Sequence, residues 1–468
     1  METMTEDRIM LIQRATEDLL EDVGFSVTHR GIRCLARKAG AHVDEAHERI
    51  RIPGNLLRQL LAEVPSEYRI TGISGNPVTI GGRSRHSLAI VTDPWILDYK
   101  TRSLCRPRLE NVRHHTIIAQ KLDHIVSISR MDFPVGDIEG PSSSLRALEE
   151  HLMYHSKHYM VMPADMESFR RWLEIGRIVL DGADLKGSGL ISLGVAVVSP
   201  LELNELNAEL LIGACEHSFP VVPTICPMAG ATSPYSRAST LLQGNAECIF
   251  VAAIAQILNP GNPVLYTFGP SVTDMRTGYN RYYTLDKVLW KHAGVQMGHS
   301  YHMPAAAECG GTMTCRYDVQ SGAEGMLFMK AAYDSGADLL SGFGSCCNAV
   351  GMSPEMMLIQ TAWLEAAQYL ERGIDFSAPL PGLENIKRAG PRGNFLTDDL
   401  TLLNVRSGEF FSHELFDYSG CAGEGSSMLE RVHEMVGDMV SDAVSPLPGT
   451  VQEKLRRYFR DECRNSGT

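Results

Sequence analysis

The feature that most limits what this chain can fold into is a rhythm that begins near residue 109. A short apolar run is followed by a turn and then by a helix of several turns, and the unit repeats to about residue 375. The runs that read as strands are 125–128, 159–162, 190–193, 220–225, 263–268, 302–305 and 339–342. With 87–92 or a piece near 386 as the eighth, the count suits an α/β fold of the (β/α)8 barrel type. Counting alone leaves an open doubly wound sheet as the alternative.

Helix starts carry their own chemistry. Ser199-Pro200-Leu201-Glu202, Ser233-Pro234 and Ser353-Pro354-Glu355 each place a hydroxyl where it can cap free N–H groups, with proline at the first helical position. Ser199 and Glu202 also have capping-box spacing. Behind them, Leu203, Leu206, Leu210, Leu211 and Ala214 form one apolar stripe, and Ala246, Ile249, Phe250, Ala253 and Ile257 another. The segment from Met356 to Ala367 is apolar on several faces, which reads as deep burial or as a subunit interface.

Around this core, residues 1–65 read as an N-terminal helical region, with a first helix ending at Gly24 and another after Pro53-Gly54. Residues 66–108 read as a β-rich, mainly antiparallel insertion, 109–375 as the barrel, and 376–468 as a C-terminal extension packed on it. The 468 residues carry 43 Lys+Arg against 56 Asp+Glu, a formal charge of −13, and no basic block interrupts them. Affinity built on neutralising phosphates is therefore excluded as a theme, so nucleic acid is not an expected partner. The acidic start and the lack of an apolar run of about 20 residues argue for a cytoplasmic chain with no membrane span. The 11 cysteines are then expected as thiols rather than disulfides.

In such a barrel the reacting groups belong at the C-terminal ends of the strands. The segments there include Asp93-Pro94-Trp95, Asp132-Phe133-Pro134, Cys226 to Thr232, Phe268-Gly269-Pro270, Asp274 to Tyr279, His302 to Cys315, and Phe343 to Asn348. No dinucleotide fingerprint, Walker loop, His-Glu-x-x-His or Gly-x-Ser-x-Gly elbow is present, which weakens nucleotide chemistry and serine hydrolysis. Cys309, Cys315, Cys346 and Cys347, with His302 nearby, admit two readings: a thiolate-rich zinc site, or buried thiols acting as small hydrophobes. The tight Cys-x-x-Cys pairs of structural zinc sites are missing, so no metal is assigned.

A set of collinear motifs is more specific. Gly230-Ala231-Thr232-Ser233-Pro234, Gly244-Asn245-Ala246-Glu247, the run Ala255 to Val264, Asp274-Met275-Arg276-Thr277-Gly278, Asp318 to Glu324, Gly336-Ala337-Asp338 and Gly393 to Thr397 follow one another in order. Together with Gly40 to Asp44 and Ile52-Pro53, they resemble the trimethylamine methyltransferase superfamily over nearly the whole chain. The founding members carry pyrrolysine in the barrel and this sequence has none, so it resembles the pyrrolysine-free branch. The resemblance implies a TIM-barrel methyltransferase, cytoplasmic and from an anaerobe, with no permanently bound cofactor. It would pass a methyl group to the Co(I) of a corrinoid (cobalamin) carried by a separate cognate protein. Some members of that branch demethylate quaternary amines such as glycine betaine, proline betaine, carnitine or γ-butyrobetaine.

Physical chemistry makes that branch reasonable. When a nucleophile removes a methyl from a quaternary ammonium the departing amine is neutral, so no proton has to be supplied as the C–N bond breaks. The cation still needs a site, and aromatic rings can supply one. The strand-end rings Trp95, Tyr99, Phe133, Phe268, Tyr279 and Phe343 are the candidates; each alone reads first as packing, and as a set they read as a cage. A betaine carboxylate needs donors, for which Arg276, His302, Asn348 or a Ser-Pro helix N-terminus are candidates. Glu308 and Asp93 are candidate carboxylates beside the ammonium, with capping or salt bridging as the equal alternative. Two other functions stay open: methyl transfer from a tertiary amine such as trimethylamine, and a non-catalytic betaine-binding barrel. The oligomeric state is also open.

Overall fold

The computed structural model describes residues 4–73, 75–91, 94–374, 379–420 and 425–466. The N-terminal region holds α1 (Glu6–Asp22), α2 (Arg30–Lys38) and α3 (Gly54–Ala62). It is not wholly helical, because the short strands Phe25–Val27, His42–Asp44 and Arg49–Arg51 form a small antiparallel sheet between the helices. Gly24 ends the first helix in the left-handed conformation, φ 72°, and a side chain there would collide with the Ile50 carbonyl.

The centre is a closed ring. Strands β1 (His86–Ile90), β2 (Ile125–Met131), β3 (His158–Met162), β4 (Ile191–Ala196), β5 (Val221–Thr224), β6 (Ala306–Glu308) and β7 (Leu339–Phe343) pair in parallel in the order β5-β4-β3-β2-β1-β7-β6. The segment expected as a strand at 263–268 closes the remaining gap through isolated parallel bridges, Val221 to Val264 on one side and Tyr266 to Ala305 on the other. A helix follows each member of the ring: α4 (Leu109–Lys121), α5 (Ser142–Met153), α6 (Met166–Val179), α7 (Glu205–Glu216), α8 (Arg237–Leu258), α9 (Asp286–Ser300), α10 (Val319–Asp334) and α11 (Pro354–Arg372). This is a (β/α)8 barrel. Its eighth strand is 86–90, which lies inside the 66–108 segment, whereas the piece near 386 is helical, within α12 (Pro379–Ala389).

Two of the three expected Ser-Pro helix starts fall elsewhere. The Ser199-Pro200 bond is cis, Glu202–Leu203 is extended, and α7 begins after Asn204, which accepts from the Asn207 N–H. Likewise α8 begins after Ser236 rather than Ser233. Ser353 does cap α11, accepting from the Met356 N–H at 3.0 Å. Helix α8, 22 residues long and mostly apolar, is walled in: α1 packs along it, Phe25 stacks on Phe250 at 3.9 Å, and Asn245 donates to Thr16. The segment from Met356 to Ala367 in α11 is mostly buried within the chain.

The hairpin Glu67–Thr71 and Pro77–Gly81 positions the site from below. It bonds the turns that precede β3 and β4, Thr71 N–H to the Gly189 carbonyl and Ile73 N–H to that of Ser156. From there Tyr68, Ile70 and Ile80 pack against Leu88, Val222, Leu265 and Leu339 and plug the N-terminal mouth of the barrel. The remaining described helices, α13 (Asp399–Asn404), α14 (Met428–Ser441) and α15 (Gly449–Ser466), extend the outside, α14 against α4 and α11 and α15 against α5 and α6.

Candidate active site

Alternation along the strands sends one set of side chains into the ring. Ser127 and Ser129 of β2, His158, Met160 and Met162 of β3, Ser192 of β4 and Ser341 of β7 face a cavity of about 210 Å³ between the hairpin plug and the C-terminal face. Most of its wall is apolar. Hydroxyls and the His158 ring are spread round it, and its charged lining group, Glu308, stands at one side, where the end of β6 meets the loop and helix that follow residues 264–266.

There the Glu308 carboxylate is clamped from two directions. The Lys287 Nζ donates to Oε2 at 2.7 Å and the Tyr282 hydroxyl donates to Oε1 at 2.6 Å, while the Lys287 ammonium sits 3.3 Å from the centre of the Tyr282 ring. Burial pushes the Glu308 carboxyl up, but the ammonium groups of Lys287 and Lys291 and the two hydrogen bonds outweigh it and hold it below its ordinary value. Burial lowers both lysines, Lys291 to about 8, with Glu308 working against the shift. The Cys226 thiol opens on the same cavity; desolvation by the surrounding wall, and then the Glu308 charge, push it up to about 11.

Local structure explains how these groups meet. Lys287 and Lys291 are one turn apart on α9 and share a face. Tyr282 is held by its backbone, since Asn348 Oδ1 accepts from the Tyr282 N–H at 2.7 Å. Asn348 itself lies in a run of three left-handed residues, Cys347, Asn348 and Ala349, and its Nδ2 donates to the Asn280 carbonyl and the Tyr279 hydroxyl. Phe268 fits between α8 and α9 because both offer glycine: a Cβ on Gly244 would stand 2.4 Å from the Phe268 ring, and one on Gly294 3.2 Å from it. Gly244→Ala is accordingly expected to drive the ring toward the cavity, costing about 1–3 kcal/mol of stability by overpacking. KM for the substrate is expected to rise about tenfold with kcat less affected; unchanged steady-state kinetics would show that the ring's position is immaterial.

Of the residues singled out from the sequence, the structure brings Phe268 and Glu308 to the cavity. The others lie elsewhere, each for a reason. A bulge at Gly342, φ 91°, breaks the alternation of β7, so Phe343 turns out of the ring and packs, fully buried, against His124. His302 follows the end of α9 and precedes the strand, which places it on the N-terminal face, opposite the cavity mouth. Trp95 is covered by the Arg106 guanidinium at 4.1 Å, and Tyr99 is stacked on His433 with Arg102 also against its ring. Arg276 and Tyr279 stand on an exposed loop, and Phe133 and Asn348 do not line the cavity. Asp93 lies outside the described residues. Cys309 donates to the Ser341 carbonyl, Cys346 and Cys347 are 3.6 Å apart, and no group of three or more metal-ligating side chains forms among the described residues.

The comparisons with known proteins agree with this architecture. Residues 1–466 match the sequence profile of the family described as trimethylamine methyltransferase. The chain is 26% identical to a glycine betaine methyltransferase of Desulfitobacterium hafniense (strain Y51), covering 99% of this chain and 98% of that protein. It is 23% identical to a proline betaine:corrinoid methyltransferase of Eubacterium limosum, over 97% and 96% of the two chains. Among solved structures, the hydroxylamine complex of MtmB aligns with a TM-score of 0.50 and 12% identity over 98% of this chain and 92% of that one, a likeness of fold.

Proposed function

The chain belongs to the trimethylamine methyltransferase family, and from that premise we propose that it moves a methyl group from a quaternary amine, glycine betaine or a related betaine, to the Co(I) of a cognate corrinoid protein. One observation carries the substrate assignment: the cavity is small and largely apolar, and the charged groups beside it, Glu308 in the wall with Lys287 paired behind it, stand at a single side. That asymmetry suits a compact zwitterion with a methylated cation at one end and an anion at the other.

The chain's own groups then have definite tasks. The Phe268 ring in the wall and the Tyr68 ring in the floor have no protein cation against them among the described residues, and each offers a π face worth about 2 kcal/mol to a desolvated quaternary ammonium. Met160 and Met162 supply polarizable, uncharged surface beside them. Because the amine leaves neutral, the site needs no proton donor at the cleavage step, which fits a cavity whose one carboxylate, Glu308, is already engaged by Lys287 and Tyr282. The corrinoid carried by the partner supplies the nucleophile when the two proteins meet. The barrel holds the N–CH3 bond toward its open face and excludes water. Around that face the loops expose Val198, Tyr235, Met275, Tyr279, Leu285, Val319 and Val350, an apolar rim that a partner domain can cover.

The test is a methylation assay. Glycine betaine, mixed with the protein and chemically reduced Co(I) corrinoid on its carrier protein, should give the absorbance change to methyl-Co(III). Reaction with trimethylamine but with no quaternary amine would overturn the substrate assignment, and no reaction with any donor would favour a binding protein.

A further inference from the structure

The charges beside the cavity do not balance. Lys287 and Lys291 face one carboxylate, Glu308, and the Glu308 hydrogen bonds go to Lys287 and Tyr282. The Lys291 residue is 5% exposed, and its Nζ has no hydrogen-bond partner among the described residues. Its surroundings are the Phe328 ring, 5.3 Å away, and a second, smaller chamber that it lines with Lys287, Trp290 and Glu308. That chamber is separated from the main cavity only by Phe268, Ala306 and Glu308, which border both, and holds about 10 Å³, room for one oxygen atom. An ammonium buried without a partner is a standing cost to the fold. A simple methylammonium ion would add to the excess positive charge, whereas a betaine adds no net charge and brings a carboxylate that can pair with Lys291.

We propose that Lys291 is the anchor for the anionic end of the substrate: one carboxylate oxygen enters the small chamber beside Lys291 while the quaternary ammonium stays in the main cavity. The inference rests on the betaine reading above and sharpens it, since it makes the carboxylate a requirement for tight binding. It also predicts that a residue important for recognition is a burden on stability.

Calorimetric titration with glycine betaine and with choline, which has the same trimethylammonium head but a hydroxyl in place of the carboxylate, tests it. The unaltered protein should bind glycine betaine at least tenfold more tightly than choline. Lys291→Met should lose about 10- to 100-fold in affinity for glycine betaine, leave choline within about twofold, and raise Tm because an uncompensated buried charge is gone. Lys291→Gln serves as a second variant of different polarity, with the same selective loss expected. Equal losses for both ligands, an unchanged affinity for glycine betaine, or a bound structure with only water in the chamber would overturn the anchor while leaving the betaine reading intact. Binding of trimethylamine by an unaltered protein that takes neither probe would overturn both.

Discussion

Glu308→Leu is expected to reduce kcat/KM for methyl transfer by at least about 100-fold and to lower stability by about 3–5 kcal/mol, the usual consequence of removing one partner from a buried ion pair. The cause of both losses is the same. Lys287 is 2% exposed in its side chain, and without Glu308 it and Lys291 are two ammoniums facing each other across a low-dielectric site. The Tyr282 hydroxyl loses its acceptor in the same step. Adding Lys287→Met to Glu308→Leu should restore most of the stability, since a buried pair replaced by apolar groups of similar volume is often neutral or stabilising. It should restore little of the activity, because the charged side of the cavity is then gone. Urea unfolding at constant m, read beside steady-state rates for the single and double variants, separates the two effects. A single variant as stable as the parent would mean that the ion pair is not truly desolvated.

The barrel was legible because its period is redundant. Each βα unit repeats the same apolar run, turn and amphipathic helix, so an error in one unit does not alter the count. The site had no such redundancy. Phe343 follows the period-two pattern of β7 on paper, and only the bulge at Gly342 reverses it. His302 lies three residues before the start of its bridge at Ala305, which moves it to the other face of the barrel. Trp95 and Tyr99 look free in sequence because the groups that cover them come from elsewhere: Arg106 from the far side of a tight turn, and His433 from α14. Lys287 and Lys291 carried a signal, two cations at i and i+4 on one helix face. That pattern ordinarily marks a solvated surface, and it became a site because α9 presents this face to Glu308 at the end of β6. Glu308 could be reached from sequence because it falls in the segment that follows the strand expected at 302–305, but its partners could not.

The whole molecule is expected to unfold in mild acid, with stability falling steeply below about pH 6.5. Four fully buried histidines are responsible. His115 and His151 are pushed down to about 3 and His158 to about 4, in each case first by burial, and His155 is lowered well below its usual range first by burial, with the Lys157 ammonium adding to it. Geometry agrees, since His151 and His155 share a ring-to-ring hydrogen bond at 3.1 Å, and neither His115 nitrogen has a partner among the described residues. In the folded chain these rings stay neutral, while in the unfolded chain they take up protons near pH 6.5. The unfolded state therefore binds more protons between about pH 6.5 and 4, and stability falls as the pH drops through that window. At pH 5 each of His115, His151 and His158 accounts for roughly 2 kcal/mol of lost stability, and His155 adds to the loss in the same direction. Together these losses are comparable with the entire stability of an ordinary domain. Circular dichroism and urea unfolding between pH 7 and 4.5 should show this loss, and His115→Leu, which removes a ring without a hydrogen bond, should move the acid midpoint to lower pH. Stability that stays level from pH 7 to 5 would show that the buried rings are already charged or are reached by water.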